Sequence, residues 1–229
     1  MCGRFSQAQI AELDREVFEL LSVPRLEPRY NIAPTQDAAV VRVGGTRERE
    51  MVPLRWGLIP AWAKDPTIGN RMINARAETL AEKPAFRDAF AERRCLVPAD
   101  GFYEWEKLRD RKQPHYIRVG GGQVFAFAGL WERWWDRASG ERRETFTIVT
   151  TEPNALLEPI HNRMPVIIAP ESYGRWLDPE NRDPESLADL LVPYPPERMS
   201  AYPVSTYVNK PDNEGPECVQ PVDRQEDLL

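Results

Sequence analysis

The apolar positions of this chain recur at two different spacings. Over residues 6–21, Ile10, Leu13, Val17, Leu20 and Leu21 return every three or four positions, which is a helical period. Ser6 stands where its side-chain oxygen can cap a first turn, and Pro24 and Pro28 close the segment. One amphipathic helix is predicted there. Elsewhere, short runs rich in branched and aromatic residues predict strands, several with clear alternation. They cover residues 29–33, 38–43, 50–56, 95–97, 101–107, 115–119, 124–131, 145–151 and 165–168, with a short extended piece at 72–75. Helical patterning covers 78–93, interrupted near Pro84, and shorter stretches at 153–157, 171–177 and 185–191. Residues 57–67 read as a loop carrying Trp62, and 192–221 as a proline-rich, mostly extended segment.

Many strands with few helices, and no strand–helix–strand alternation, predict an α+β fold. The expected form is a strand-rich single domain of antiparallel, curved, barrel-like sheets with a few peripheral helices. It is expected to span residues 2–222, with a short tail at 223–229. The 22 prolines among 229 residues cut the chain into short elements. No apolar run is long enough to span a bilayer, and the start does not read as a signal peptide. A cytoplasmic location is therefore expected. A net charge of −6 argues against non-specific coating of nucleic acid, while leaving room for a local arginine cluster. The three cysteines are far apart and there are two histidines, so no metal site and no cofactor are expected.

Candidate chemistry begins at the second residue. If Met1 is removed, Cys2 offers an α-amine and a thiol on adjacent carbons. At neutral pH roughly a tenth of such amines are uncharged and nucleophilic. The pair can condense with an aldehyde and close a thiazolidine ring, or the thiol can attack a carbonyl with the amine as base. The plain alternative is a chance cysteine beside a retained methionine. Glu104 lies among Phe102, Tyr103 and Trp105. In a strand it shares a face with Phe102; enclosure of that face would raise its pKa toward neutrality, whereas on an edge strand it would face water, which is the commoner setting for a lone Glu. His161 follows a short predicted helix, whereas His115 reads as a surface strand residue. Arg4, Arg76 and Arg163 are candidate phosphate ligands, because the guanidinium fork matches phosphate geometry. Trp62 is placed either to stack on a base or to pack as a core residue.

Taken together, these segments resemble the SOS-response-associated peptidase (SRAP) family over nearly the whole chain. The resemblance rests on Met1-Cys2-Gly3-Arg4-Phe5, Arg29-Tyr30-Asn31-Ile32-Ala33-Pro34 and Arg55-Trp56-Gly57-Leu58-Ile59-Pro60. It continues through Ile73-Asn74-Ala75-Arg76-Ala77-Glu78-Thr79, Pro98-Ala99-Asp100-Gly101-Phe102-Tyr103-Glu104-Trp105, Ile160-His161-Asn162-Arg163-Met164-Pro165 and Pro203-Val204-Ser205. The resemblance implies recognition of abasic sites in single-stranded DNA. It also implies a covalent thiazolidine crosslink from Cys2 to the ring-opened sugar, which protects the lesion during replication. AP-lyase activity and self-processing peptidase activity are implied as well.

By the same resemblance, Asn74 orients Cys2 and the sugar, and Glu104 and His161 move protons. Arg4, Arg76 and Arg163 hold phosphates, Pro34 and Trp62 lie on DNA-contacting loops, and Thr150 lines the pocket. Expected partners are abasic single-stranded DNA and the replication machinery, with the protein a monomer, nucleoid-associated when bound and without a membrane. The segment 209–213 follows the family only loosely, so Asn209 and Asn213 carry no assigned role. Two rival readings are an N-terminal-cysteine amidohydrolase, whose fold would be a four-layer sandwich, and a non-catalytic reader of modified DNA bases.

Overall fold

A computed structural model describes residues 2–13 and 15–222. Met1 and the tail expected at 223–229 lie outside the described residues. The strands in chain order are β1 (Phe5–Gln7), β2 (Arg29–Ile32), β3 (Asp37–Val43), β4 (Arg49–Trp56), β5 (Asn74–Arg76), β6 (Arg94–Ala99) and β7 (Gly101–Lys107). They continue with β8 (Lys112–Val119), β9 (Phe125–Trp135), β10 (Arg142–Thr151), β11 (Met164–Pro165), β12 (Ile167–Ile168) and β13 (Met199–Pro203). Two short helices, α1 (Arg87–Glu92) and α2 (Tyr173–Leu177), and several 3₁₀ turns complete the set.

Five strands close on themselves: β10 pairs with β4, β4 with β3, β3 with β6, β6 with β9, and β9 with β10. Closure leaves no free edge in that ring. Most pairings are antiparallel, as expected. β10 departs from this and runs parallel to both β4 and β5. A parallel neighbour cannot be reached by a hairpin, and the chain makes several other elements between β4 and β10. A second sheet, ordered β13-β8-β7-β1-β2, packs beside the barrel. Phe5, Ile32, Phe102 and Ile117 from that sheet share one core with Val40, Trp56, Phe127 and Phe146 from the barrel. The Phe5 ring meets Trp56 and Phe127 edge-on, with centroids 5.1 and 5.9 Å apart.

The helix predicted over residues 6–21 does not form. Residues 5–7 are strand instead, pairing Phe5 with both Phe102 and Ile32. The Ser6 hydroxyl does not cap a helix; it bonds to Asp100 and Tyr116. The Gln7 amide donates to the carbonyls of Ala39 and Pro98 and accepts from the Ala39 N–H. Tertiary pairing overrides a weak helical preference, and one 3₁₀ turn at Ile10–Glu12 remains. Ile10, Leu13 and Leu20 are buried as the pattern indicated, but Phe18 is buried in place of Val17.

The helix predicted over 78–93 shrinks to a 3₁₀ turn and α1, since Pro84 interrupts its ladder. The stretch at 153–157 is a turn rather than a helix. The strand predicted at 165–168 divides at Val166, whose N–H reaches Val149 while its carbonyl accepts from Ala128. Arg94 is buried between the ends of α1 and α2. It donates to the carbonyls of Phe90, Ala91, Trp176 and Asp178, groups at helix ends that are otherwise left without partners, and to that of Asn181 in the turn beyond α2. Burial lowers its pKa to about 10.

Candidate active site

β1 carries the N-terminus into the core. Beyond the Phe5–Phe102 pair, the Tyr103 N–H donates to the Arg4 carbonyl at 2.9 Å. The first residues therefore run along β7 toward Glu104. Cys2 has no exposed surface. Its carbonyl accepts a 2.7 Å hydrogen bond from Asn74 Nδ2. Only a donor can face a carbonyl, which fixes the Asn74 amide orientation. Its Oδ1 is thereby a buried acceptor with no donor among the described residues. Asn74 reaches this position because β5 lies parallel to β10, with Asn74 opposite Ile148 and Arg76 opposite Thr150.

Glu104 is 1% exposed, on the face of β7 shared with Phe102, as the alternation predicted. Burial raises its carboxyl to about 7. Burial, and next the charge of Glu104, pushes the Cys2 thiol far above its ordinary range. The sulfur and the carboxylate are thus in electrostatic reach of each other.

His161 is half-buried, and that desolvation lowers its pKa. Its Nδ1 accepts from the Arg163 N–H at 3.1 Å, an obligate donor. This contact, the shorter of the two that Nδ1 makes with Arg163, favours the neutral ring's proton on Nε2. An Nδ1–H, in the protonated ring or in the other neutral tautomer, faces the Arg163 carbonyl 3.3 Å away.

The three predicted phosphate ligands differ in setting. Arg76 is exposed. Arg163 forks onto Glu78 at 2.7 and 3.0 Å and donates to the Thr150 carbonyl at 2.6 Å. Arg4 is 9% exposed and is turned toward Asn31 and the C-terminal segment rather than to a rim. Its Nη1 donates to Asn31 Oδ1 and to the Val208 carbonyl, each at 2.7 Å, and its guanidinium lies 5.8 Å from the Trp105 ring centroid.

Pro34 is half-buried in the turn after β2. The buried Thr150 lends its carbonyl to Arg163. Trp62 is 58% exposed, its indole N–H donating to the Pro84 carbonyl at 3.3 Å, so it is not a core residue. Its loop returns over itself where Gly57 meets Gly69. Gly57 has φ +124°, and a Cβ at Gly69 would lie 2.6 Å from the Gly57 carbonyl oxygen.

Two features escaped the sequence reading. His115 is not a surface residue: it is 4% exposed, sits opposite Glu104 in the β7–β8 register and bonds Glu106 at 2.8 Å. The alternation His115, Ile117, Val119 was the signal available, since Ile117 faces the core. Asn31, also buried, ties Arg4 to the C-terminal segment through the carbonyls of Val208, Lys210 and Asn213. Within that segment, Asn209 accepts from the Trp105 indole and the Asn213 amide donates to the Tyr207 carbonyl. Among the described residues, no cluster of three or more His, Cys, Asp or Glu side chains is arranged to hold a metal ion. No helix among them is long and apolar enough to cross a membrane.

A near-terminal cysteine enclosed in the core shared by a closed strand barrel and a second sheet, beside a buried carboxyl of raised pKa, defines a class of protein with a nucleophile and an acid–base group at its N-terminus. The chain belongs to the SOS response associated peptidase (SRAP) family, whose profile matches residues 1–211. Abasic site processing protein YoqW of Bacillus subtilis is 46% identical over 227 residues, covering 96% of this chain and 99% of YoqW. Abasic site processing protein HMCES of Gallus gallus is 30% identical over 239 residues, covering 91% of this chain and 70% of that protein. A crystal structure of a protein from Bacteroides thetaiotaomicron superposes with a TM-score of 0.82 at 31% identity, covering 96% of this chain and all of the other.

Proposed function

We propose that this chain senses abasic sites in single-stranded DNA and captures them as a thiazolidine on Cys2. The observation that carries the reading is the enclosure of Cys2 beside Glu104, with its backbone held by Asn74. Once Met1 is gone, the Cys2 amine adds to the aldehyde of the ring-opened sugar. The carbinolamine loses water to give an imine. The thiol sulfur then bonds to the imine carbon and the thiol proton passes to nitrogen, closing the ring.

Each step moves a proton. A carboxyl with a pKa of about 7 is partly protonated at neutral pH, so Glu104 serves as acid for one step and base for the next. The Nε2–H of His161 donates to the sugar oxygen as the hemiacetal opens. The unspent Oδ1 of Asn74 accepts from the Cys2 ammonium or a sugar hydroxyl, which fixes the angle of attack. Arg76 and Arg163 hold flanking phosphates, Arg4 braces the N-terminal segment against Asn31 and Val208, and Trp62 and Pro34 border the strand. The imine also opens a lyase route, by proton loss from the sugar and departure of its 3′ phosphate. Removal of Met1, in which the family's peptidase name finds a place, comes first. Such a role fits a protein of the cytoplasm, on the nucleoid when engaged, acting on lesions exposed during replication.

The four-layer architecture that an amidohydrolase would need is not the one formed by these strands. Intact-mass measurement after incubation with abasic single-stranded oligonucleotide tests the proposal. The wild-type mass should rise by that of the oligonucleotide less one water, and the adduct should survive denaturant. Cys2→Ala should give none. Cys2→Ser should keep the amine and be trapped by borohydride as an imine. A stable adduct in Cys2→Ala rules out the ring assignment, and tight binding to intact modified duplex without any adduct would favour the base-reader alternative.

A further inference from the structure

The clamp between Glu78 and Arg163 joins two parts of the site that the reaction uses for different purposes. Arg163 presents both terminal nitrogens to Glu78, at 2.7 and 3.0 Å, and one of them also reaches the Thr150 carbonyl at 2.6 Å. That geometry fixes Arg163 against the end of β10. The backbone N–H of the same residue holds His161 Nδ1 at 3.1 Å. Glu78 follows β5 in the same short run as Asn74, so one carboxylate links the Asn74 strand, the end of β10 and the His161 turn. Its pKa is lowered, first by the hydrogen bonds from Arg163, so the clamp is charged at neutral pH.

We propose that Glu78 is a positioning residue that acts through Arg163. It holds the Arg163 peptide against Nδ1 of His161, keeping the neutral ring's proton on Nε2, and it withholds part of the Arg163 guanidinium from phosphate. Binding strength is thereby exchanged for alignment: the fork that would grip DNA most tightly is used to orient the histidine. A bidentate carboxylate–guanidinium pair has the directionality for this, whereas a lysine at position 163 would supply charge without the fork. The inference rests on the covalent-capture reading for its consequence, but its structural half is measurable without DNA.

The experiment compares wild type with Glu78→Gln and Glu78→Asp. Glu78 is half exposed, so all three should fold. The first readout is the ¹⁵N imidazole spectrum of DNA-free protein, in which the two histidines are separable by a His115→Gln reference. In wild type, neutral His161 should show the Nε2–H tautomer; in Glu78→Gln it should shift to a tautomer mixture.

The second readout separates affinity from chemistry on single-stranded DNA. Glu78→Gln should bind an undamaged oligonucleotide about fivefold more tightly, the scale of one weakly screened ion pair. It should form adduct about tenfold more slowly at saturating abasic DNA, as misalignment costs rate. Glu78→Asp should recover wild-type affinity and part of the rate. An unchanged His161 spectrum in Glu78→Gln overturns the inference, and so does a parallel loss of affinity and rate. If wild type itself forms no adduct, the capture reading fails while the spectrum still decides the role of Glu78.

Discussion

Burying Glu104 raises its proton affinity and at the same time costs the fold stability. The folded carboxyl titrates at about 7, against about 4.3 for a free glutamate. Between those values the folded state binds more protons than the unfolded one, so stability falls as pH rises through the window and the loss is complete above it. The cost is on the order of 3 kcal/mol. Glu104→Gln should therefore melt higher than wild type at pH 8 and show little gain at pH 4, while adduct formation or reversal slows. Thermal melts at the two pH values, with single-turnover rates at pH 7, check both halves; a variant that melts lower at pH 8 contradicts the argument. At this scale the sequence was informative about Glu104, because strand alternation put it on the Phe102 face. The same rule applied to His115 would have buried it, since it shares a face with Ile117. Arg4 was legible only as a charge; that its guanidinium points at Asn31 and Val208 depends on a contact more than 200 residues away in the chain.

Among the elements, the N-terminal segment delivers Cys2, and the Trp62 loop carries a proposed DNA contact. Residues 6–21 carry a helical pattern, yet β1 needs Phe5, Ser6 and Gln7 in extended form between β2 and β7. A helix starting at Ser6 would withdraw the pairing that delivers Cys2 to Glu104. The Trp62 loop is held by the close passage of Gly57 and Gly69. In Gly69→Ala the new Cβ would meet the Gly57 carbonyl oxygen and lie 2.9 Å from Ile59 Cγ1. The expected cost is about 1–3 kcal/mol, concentrated in the loop. Affinity for single-stranded DNA should weaken severalfold while the adduct rate at saturation changes little. Binding by anisotropy and saturating single-turnover kinetics separate the two, and an equal drop in both would place the loop in the chemistry instead of in strand engagement.

Across the whole molecule, the barrel and the second sheet share one core, and the C-terminal segment is fastened over β2 and β7. Asn31 is the buried centre of that fastening: it accepts from Arg4 and donates to three carbonyls of the segment, beside the Arg29–Glu214 and Trp105–Asn209 contacts. Asn31→Ala should destabilise the protein by about 3–5 kcal/mol, because it leaves a buried guanidinium short of a partner. Denaturant melts and faster proteolysis of residues 204–222 would register it, and a loss below about 1 kcal/mol would mean the segment is held by other means. The acidic body also limits DNA electrostatics. With Arg4 enclosed and Arg163 shared with Glu78, fewer than three phosphates should be neutralised. Log affinity for undamaged single strands should then fall with log salt at a slope near −1, since each phosphate contributes about −0.7. A slope steeper than −2 would require a longer basic track than these three arginines provide.

Strand character, the α+β class and the face of β7 that Glu104 shares with Phe102 were readable along the chain. They follow from local preference and period-two alternation, which neighbouring residues set among themselves. The parallel pairing of β10 with β4 and β5, the strand at Phe5–Gln7, the tautomer of His161 and the partners of Arg4 and Arg163 were not readable. Each arises where segments distant in sequence meet in a closed, desolvated core, and there the pairing of backbone and charge outweighs the small energies that local propensity supplies.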